Sequence, residues 1–280
     1  MGETFQDVDL PEHINVDYLK MSDGTELRHL YYHPKNPRGK ILMYPGMNTL
    51  VLSWIDILNG LHDENFQIDY VESREKHTSK LDKKLKITKE RMLLDCAESI
   101  EILGLDKSEY TAIGSSLGST TLIHLLAEKT IEPKNVILVG PAVVLRVPTL
   151  FRFLLPITNT WTYNNVAKKI MQKVIIRKYT NEKADPKQKE KYWLALELAE
   201  PIRLKKTLKA WNGNTINGDL SKIDGSKTKC HVIGATEDRL HDVGETKGIT
   251  DQIHNAEYID LKTNSAAHEQ PLIDLLLSLY

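Results

Sequence analysis

Tyr110-Thr111-Ala112-Ile113-Gly114-Ser115-Ser116-Leu117-Gly118 changes hydrophobic rhythm partway along: a short apolar run ends at Gly114, and after Ser116 apolar residues recur at Leu117, Leu122, Ile123 and Leu126. The first part reads as a buried strand and the second as a helix reaching about Glu128. Glycine two positions to either side of Ser116 suits a tight, strained strand-to-helix turn, where a side chain at either flank would strike neighbouring backbone. Such a turn pushes the Ser116 hydroxyl into the open at the carboxyl edge of a sheet. The N-terminus of its own helix lies beneath, favouring developing negative charge. A bare G-x-S-x-G is a weak signal, but between a strand and a helix it marks a nucleophile. Ser115 and Ser119 lack glycine at both flanking offsets.

Outward from this turn, strand and helix patterns alternate. β-rich runs at 14–21, 26–33 and 40–44 are separated by turn clusters at 22–25 and 36–39. Leu50, Trp54, Ile57 and Leu61 then follow helical spacing. A strand at 66–71, a helix from about 88 to 103 and a strand at 135–139 complete the first part. Residues 141–212 read as several helices without a convincing strand. The strand pattern resumes at 229–233 and 256–261, and a helix over 271–279 closes the chain. The expected fold class is α/β, a mainly parallel sheet covered on both faces by helices. Residues 1–140 and 213–280 form its core, and 141–212 an inserted helical cap.

Composition narrows the function classes. With 280 residues, 41% hydrophobic and 27% charged, the chain resembles an ordinary globular domain. No apolar run approaches the roughly 20 residues needed to span a bilayer. The N-terminal stretch lacks a basic-then-apolar signal pattern, so a cytoplasmic location is expected. Cys96 and Cys230, the two cysteines, read as reduced core residues. A formal net charge of -1 excludes a globally basic nucleic-acid binder. H-E-x-x-H, C-x-x-C, P-loop and dinucleotide motifs are all absent from the sequence, so neither metal nor cofactor is expected. His29 and His33, four apart on a predicted strand, read as surface positions. The lysine-rich stretches 80–91 and 183–191 read as solvated helix faces or loops.

A serine nucleophile needs a base, and the base an orienting acid, in the chain order Ser, Asp or Glu, His. The acid is expected just after a late strand, where Cys230-His231-Val232-Ile233-Gly234 leads into Ala235-Thr236-Glu237-Asp238. Asp238 is the expected acid, with adjacent Glu237 the alternative. The base is expected after the last strand, which points to His268, just ahead of the terminal helix. His231 and His241 lie too near Asp238 in sequence to occupy that loop, and His254 precedes the strand. The oxyanion hole is expected to combine the Leu117 amide with the Met47 amide, which Gly46 in Tyr44-Pro45-Gly46-Met47-Asn48 lets turn inward.

Together these residues resemble the α/β-hydrolase superfamily, and within it the capped esterases, lysophospholipases and monoacylglycerol lipases. The resemblance runs from the Gly46 loop to His268 and is most specific at Ser116, Asp238 and His268. It departs in two loops. Pro45-Gly46 stands where relatives usually carry His-Gly, and Glu72-Ser73-Arg74-Glu75-Lys76-His77-Thr78-Ser79 stands where they usually carry Asp-x-Arg-Gly-x-Gly-x-Ser. The arginine survives as Arg74, but the glycines do not. The resemblance implies hydrolysis of a small-molecule carboxylic ester, and the cap's apolar stretch suits a lipophilic, lipid-derived acyl group. Thioesterase, amidase and acyltransferase chemistry would use the same triad, and a non-catalytic binding protein would keep the same fold.

Substrate choice is expected to rest with the cap, which roofs the site. Its apolar stretch from Val143 to Ile157 suits an acyl pocket or cap-to-core packing. Residues 141–212 hold fifteen Lys or Arg and five Asp or Glu, a segment charge of +10, leaving -11 elsewhere for a chain total of -1. Such a cap suits peripheral contact with an anionic membrane, or attraction to the acidic body.

Overall fold

The computed structural model describes residues 10–82, 84, 86–142, 159–181, 183, 185–213, 215, 216 and 219–280. Eight strands make one sheet: β1 (Asn15–Lys20), β2 (Glu26–Tyr32), β3 (Lys40–Tyr44), β4 (Gln67–Val71), β5 (Thr111–Ser115), β6 (Asn135–Val139), β7 (Lys229–Gly234) and β8 (Glu257–Asp260). Their order is β1-β2-β4-β3-β5-β6-β7-β8. The β1/β2 and β2/β4 pairs are antiparallel, and the pairs from β4 through β8 are parallel. Every expected strand is present to within a residue or two.

The helices of the core are α1 (Ile55–Asp63), α2 (Lys89–Ile102) and α3 (Leu117–Ala127), then, after β7, α7 (Val243–Gln252) and α8 (Gln270–Ser278). Between β6 and β7, a π-helical turn at Tyr163–Ala167 runs into α4 (Lys168–Tyr179), followed by α5 (Pro186–Glu197) and α6 (Pro201–Trp211). The apolar stretch expected in the cap, Val143 to Ile157, lies outside the described residues.

Strand alternation sorts the core into two layers. Leu42, Ala112, Val136 and Val232 pack on one face with Met92 of α2, Leu122 of α3 and Ile249 of α7. Ile41, Ile113, Ile137 and Ile233 pack on the other with Ile57 of α1 and Leu272 and Leu276 of α8. Central β5 and β6 are buried at every position, as strands covered on both sides must be. The inserted helices carry a small core of their own, including Tyr163, Met171, Leu196, Leu204 and Leu208. Cys96 and Cys230 are free and buried.

Side-chain caps set several helix starts. Thr88 accepts from the Arg91 amide at α2, and Asp185, followed by Pro186 in the first turn, accepts from the Gln188 amide at α5. The loop after β4, where the sequence departs from the family pattern, is anchored by its arginine. Arg74 is fully buried and donates to Asp95 from Nε and, at 2.6 Å, from Nη2. Its Nη1 donates to Asp23 and to the Lys86 carbonyl, each at 3.0 Å. Arg91, one helical turn before Asp95, donates to it at 2.9 Å and to Glu98 at 2.7 Å. The 80–91 stretch is therefore only partly solvated, since Lys89 is buried too.

This network predicts a large effect for Asp95→Ala. Removing one partner leaves a buried guanidinium undercompensated, so urea denaturation should show a loss of about 3–5 kcal/mol. An effect below ~1 kcal/mol would show that Asp23 alone suffices for Arg74.

Candidate active site

Ser116 occupies the turn between β5 and α3 with φ 48° and ψ -114°, a region that L-residues rarely adopt. Its neighbours leave no room for side chains at the flanking glycines. A Cβ on Gly118 would sit 1.9 Å from the Tyr44 carbonyl oxygen, and one on Gly114 2.6 Å from the Ser119 amide nitrogen. The Ser116 amide donates to the Val139 carbonyl at 2.8 Å, and its carbonyl accepts from the Thr120 amide at 3.0 Å. The turn is thus stitched to both β6 and its own helix.

Asp238 follows β7, as expected, with its side chain 2% exposed. The Leu240 amide donates to its Oδ1 at 2.8 Å, while its Oδ2 accepts from Asn264 Nδ2 at 3.0 Å and pairs with His241 Nδ1 at 2.8 Å. Gln188 Nε2 of α5 lies 3.5 Å from Oδ1. Burial pushes the Asp238 carboxyl up, but the hydrogen bond and charge of His241, with the Leu240 and Asn264 donors, outweigh it and hold the pKa below the ordinary carboxylate value. Glu237 is exposed and accepts instead from Asn181 at 3.0 Å.

The structure does not bring His268, the expected base, to Ser116. His241 Nε2 lies 3.0 Å from Ser116 Oγ, so His241, not His268, bridges Ser116 and Asp238. The physical reason is the turn that Asp238 itself caps: Oδ1 takes the Leu240 amide two residues on, which folds His241 back over the carboxylate three residues away. Sequence proximity does not keep His241 from the site. Gly140 supplies the space, since a Cβ there would lie 3.0 Å from His241 Cγ. The Asp-x-x-His spacing after a late strand was the available signal.

His268 lines the same cavity. It is buried, its Nδ1 lies 2.9 Å from the Asn264 carbonyl, and its ring meets Trp54 edge-on with centroids 4.6 Å apart. Among the described residues, no hydrogen bond joins it to Ser116 or Asp238. Burial, then the positive charge of Lys191, lowers its pKa to about 4. His231, by contrast, pairs with Glu257 at 3.2 Å.

Met47 lines the cavity together with Ser116, while Leu117, the residue after Ser116, is buried in the core. Leu117 is the first residue of α3, whose amide has no intrahelical acceptor. The Met47 loop is held by Asn48, whose amide donates to Glu75 at 3.1 Å and whose side chain donates to the Ala195 carbonyl of α5. Among the described residues, no hydrogen bond of these loops uses the Met47 or Leu117 amide. The cavity measures about 110 Å³. Met47, Leu50, Ala195 and Leu240 contribute apolar wall, while Lys191 and Tyr192 of α5 border it on the inserted side.

No protein-family model matches the chain, and no curated protein matches it in sequence. Solved structures do match. A hydrolase from Pseudomonas aeruginosa superposes with a TM-score of 0.77 at 17% identity, over 94% of this chain and 97% of that one. An esterase from Exiguobacterium antarcticum gives 0.74 at 15% identity, over 94% and 98%. An enol-lactonase from Burkholderia xenovorans gives 0.72 at 14% identity, over 94% and 98%. The chain has the α/β-hydrolase fold.

His268 ties stability to pH. An imidazole with an ordinary value near 6.5 in the unfolded chain and about 4 when folded binds its proton more readily unfolded between those values. Its contribution is complete above about pH 6.5 and is lost as pH falls toward 4, by on the order of 3 kcal/mol. Urea midpoints at pH 7, 5 and 4 should show a shallower decline for His268→Gln. The share due to His124, also lowered to about 4 by burial, should remain. An unchanged decline would exclude His268 as a source.

Proposed function

We propose that this chain is a serine hydrolase that cleaves carboxylic esters through an acyl-enzyme, with Ser116 as nucleophile, His241 as base and Asp238 as its orienting acid. One observation carries the reading: Asp238 Oδ2, the two nitrogens of His241 and Ser116 Oγ form an unbroken chain of 2.8 Å and 3.0 Å contacts. In the reaction, Ser116 Oγ attacks the ester carbonyl and its proton passes to His241 Nε2. The carbonyl oxygen gains the negative charge and takes hydrogen bonds from the Leu117 and Met47 amides. Collapse expels the alcohol, which leaves with the His241 proton. Water, deprotonated by the same imidazole, then attacks the acyl-enzyme and releases the acid.

The names of the structural neighbours, which include an esterase and an enol-lactonase, support acyl–oxygen cleavage. The cavity's apolar wall supports an apolar acyl group.

Wild-type protein should label with a fluorophosphonate probe, and Ser116→Ala should not. His241→Ala should lower kcat/KM for a short-chain aryl ester by at least about 10³-fold. His268→Ala should have the smaller effect. The reverse order would move the base role to His268, the position that follows β8. Absence of labelling in folded wild-type protein would leave a binding scaffold instead.

Membrane contact through the inserted helices is supported by their surface. Trp161 (68% exposed), Val166 (48%), Ile170 (36%) and Trp193 (42%) lie there, and α4 adds exposed Lys169 and Lys173. Aromatic and aliphatic side chains among lysines suit the boundary of an anionic bilayer. Binding to phosphatidylserine vesicles should exceed binding to phosphatidylcholine, weaken with salt and weaken further in the Trp161→Ala/Trp193→Ala double variant. Equal, salt-independent binding to both would discard the idea.

A further inference from the structure

The antiparallel side of the sheet carries a cluster that the hydrolase reading does not use. β2 and β4 pair with Tyr31 opposite Asp69. Side chains two apart on a strand share a face, which sets His29, Tyr31 and Asp69 together, with His33 one residue past the end of β2. Histidines four apart on an extended chain are roughly 13 Å apart at their Cα atoms. Asp69 brings their rings together: His29 Nε2 lies 2.9 Å, and His33 Nε2 2.8 Å, from the same oxygen, Oδ1. The second oxygen accepts from Gln67 Nε2 at 2.8 Å, which keeps Oδ1 turned toward the histidines. The Tyr31 ring flanks both imidazoles, 5.0 Å from each centroid.

This arrangement corrects the reading of His29 as a surface position, whereas His33 does stand at the surface. The His29 side chain is 5% exposed and Asp69 is fully buried, while His33 is 42% exposed. Two donors are therefore preset within the sheet, and the third stands where an ion can arrive from solvent. The three donor atoms lie within 4.8 Å of one another. Donors at right angles around an ion with bonds of about 2.1 Å are about 3.0 Å apart, close to both separations here. Two imidazoles and a carboxylate form a donor set that first-row divalent ions favour.

We propose that His29, His33 and Asp69 bind a divalent transition-metal ion, which clips the end of β2 to β4. Each imidazole moves its remaining proton to Nδ1 and presents Nε2 to the ion. Asp69 Oδ1 exchanges two N–H donors for one metal bond, and water fills the remaining positions. Gln67, holding the other oxygen, acts as an outer partner that orients the carboxylate. β3 separates β4 from β5, so this site stands apart from Ser116.

The test uses the full chain after chelator treatment, titrated with Zn²⁺ by calorimetry and with Co²⁺ by visible absorption. One ion should bind per chain, Co²⁺ should develop a ligand-field spectrum, and excess Zn²⁺ should raise the melting temperature. His33→Ala removes an exposed ligand while His29 and Gln67 still hold the buried Asp69 carboxylate, so the metal-free protein should stay folded and melt only a little below the wild type. Its affinity should fall at least about 10-fold, with the cobalt spectrum and the zinc-dependent shift both lost. His62→Ala serves as the control, because His13 and His62 stack at 3.7 Å as a separate histidine pair. It should bind as the wild type does. No binding by wild-type protein, binding retained in His33→Ala, or binding lost in His62→Ala would each overturn the assignment.

Discussion

Ser116 holds a backbone conformation, φ 48° and ψ -114°, that costs an L-residue about 1–3 kcal/mol and survives only where its surroundings leave no alternative. Those surroundings are the central sheet. β5 is paired on both sides, by β3 and β6, so the strand cannot shift to relax the turn. The Tyr44 carbonyl at the end of β3 packs against Gly118, and the Val139 carbonyl at the end of β6 takes the Ser116 amide. Both neighbouring strands therefore end on the turn. The same two ends begin the loop carrying Met47 and the segment carrying Gly140, which makes way for His241.

Asp238 gathers the rest of the site. Its oxygens meet a backbone amide of its own loop, Asn264 from the loop after β8 and His241. Asp185, at the start of α5, does similar work nearby: it accepts from the Ser265 amide at 2.8 Å and hydroxyl at 2.6 Å. The inserted helices are thereby joined to the loop holding Asn264 and His268. Asn48 makes a second joint, from the Met47 loop to Ala195 of α5. These joints, one at each end of α5, help fix it to the core.

Much of this was legible because it follows from local rules. Strand and helix periods located β5, α3 and the buried strands around them, and the flanking glycines located Ser116. Asp238 followed from its position after β7. What escaped was set by side chains turning back on the chain or reaching across it. His241 comes three residues after Asp238, and only the Asp238–Leu240 turn folds it onto the carboxylate. Arg74 looked like a remnant of a family loop, yet its partner Asp95 lies 21 residues on, in α2. His29 looked exposed because alternation ranks positions by face, not by what stands on the neighbouring strand. Asp69, opposite Tyr31, was invisible to that reasoning.

Two histidines in one cavity raise the question of which can carry a proton, and their surroundings separate them. His241 has a carboxylate on Nδ1, so an imidazolium there would be paired at once with a negative charge. His268 has a neutral carbonyl on Nδ1, lies near Lys191 and is held neutral around pH 7 by burial. Protonating it would place an unpaired charge in the interior. The donors converging on Asp238 sharpen the difference, because they hold its carboxyl below the ordinary value and so favour the carboxylate that faces His241. In the proposed reaction His241 takes the proton from the Ser116 oxygen 3.0 Å away and returns it to the departing alcohol.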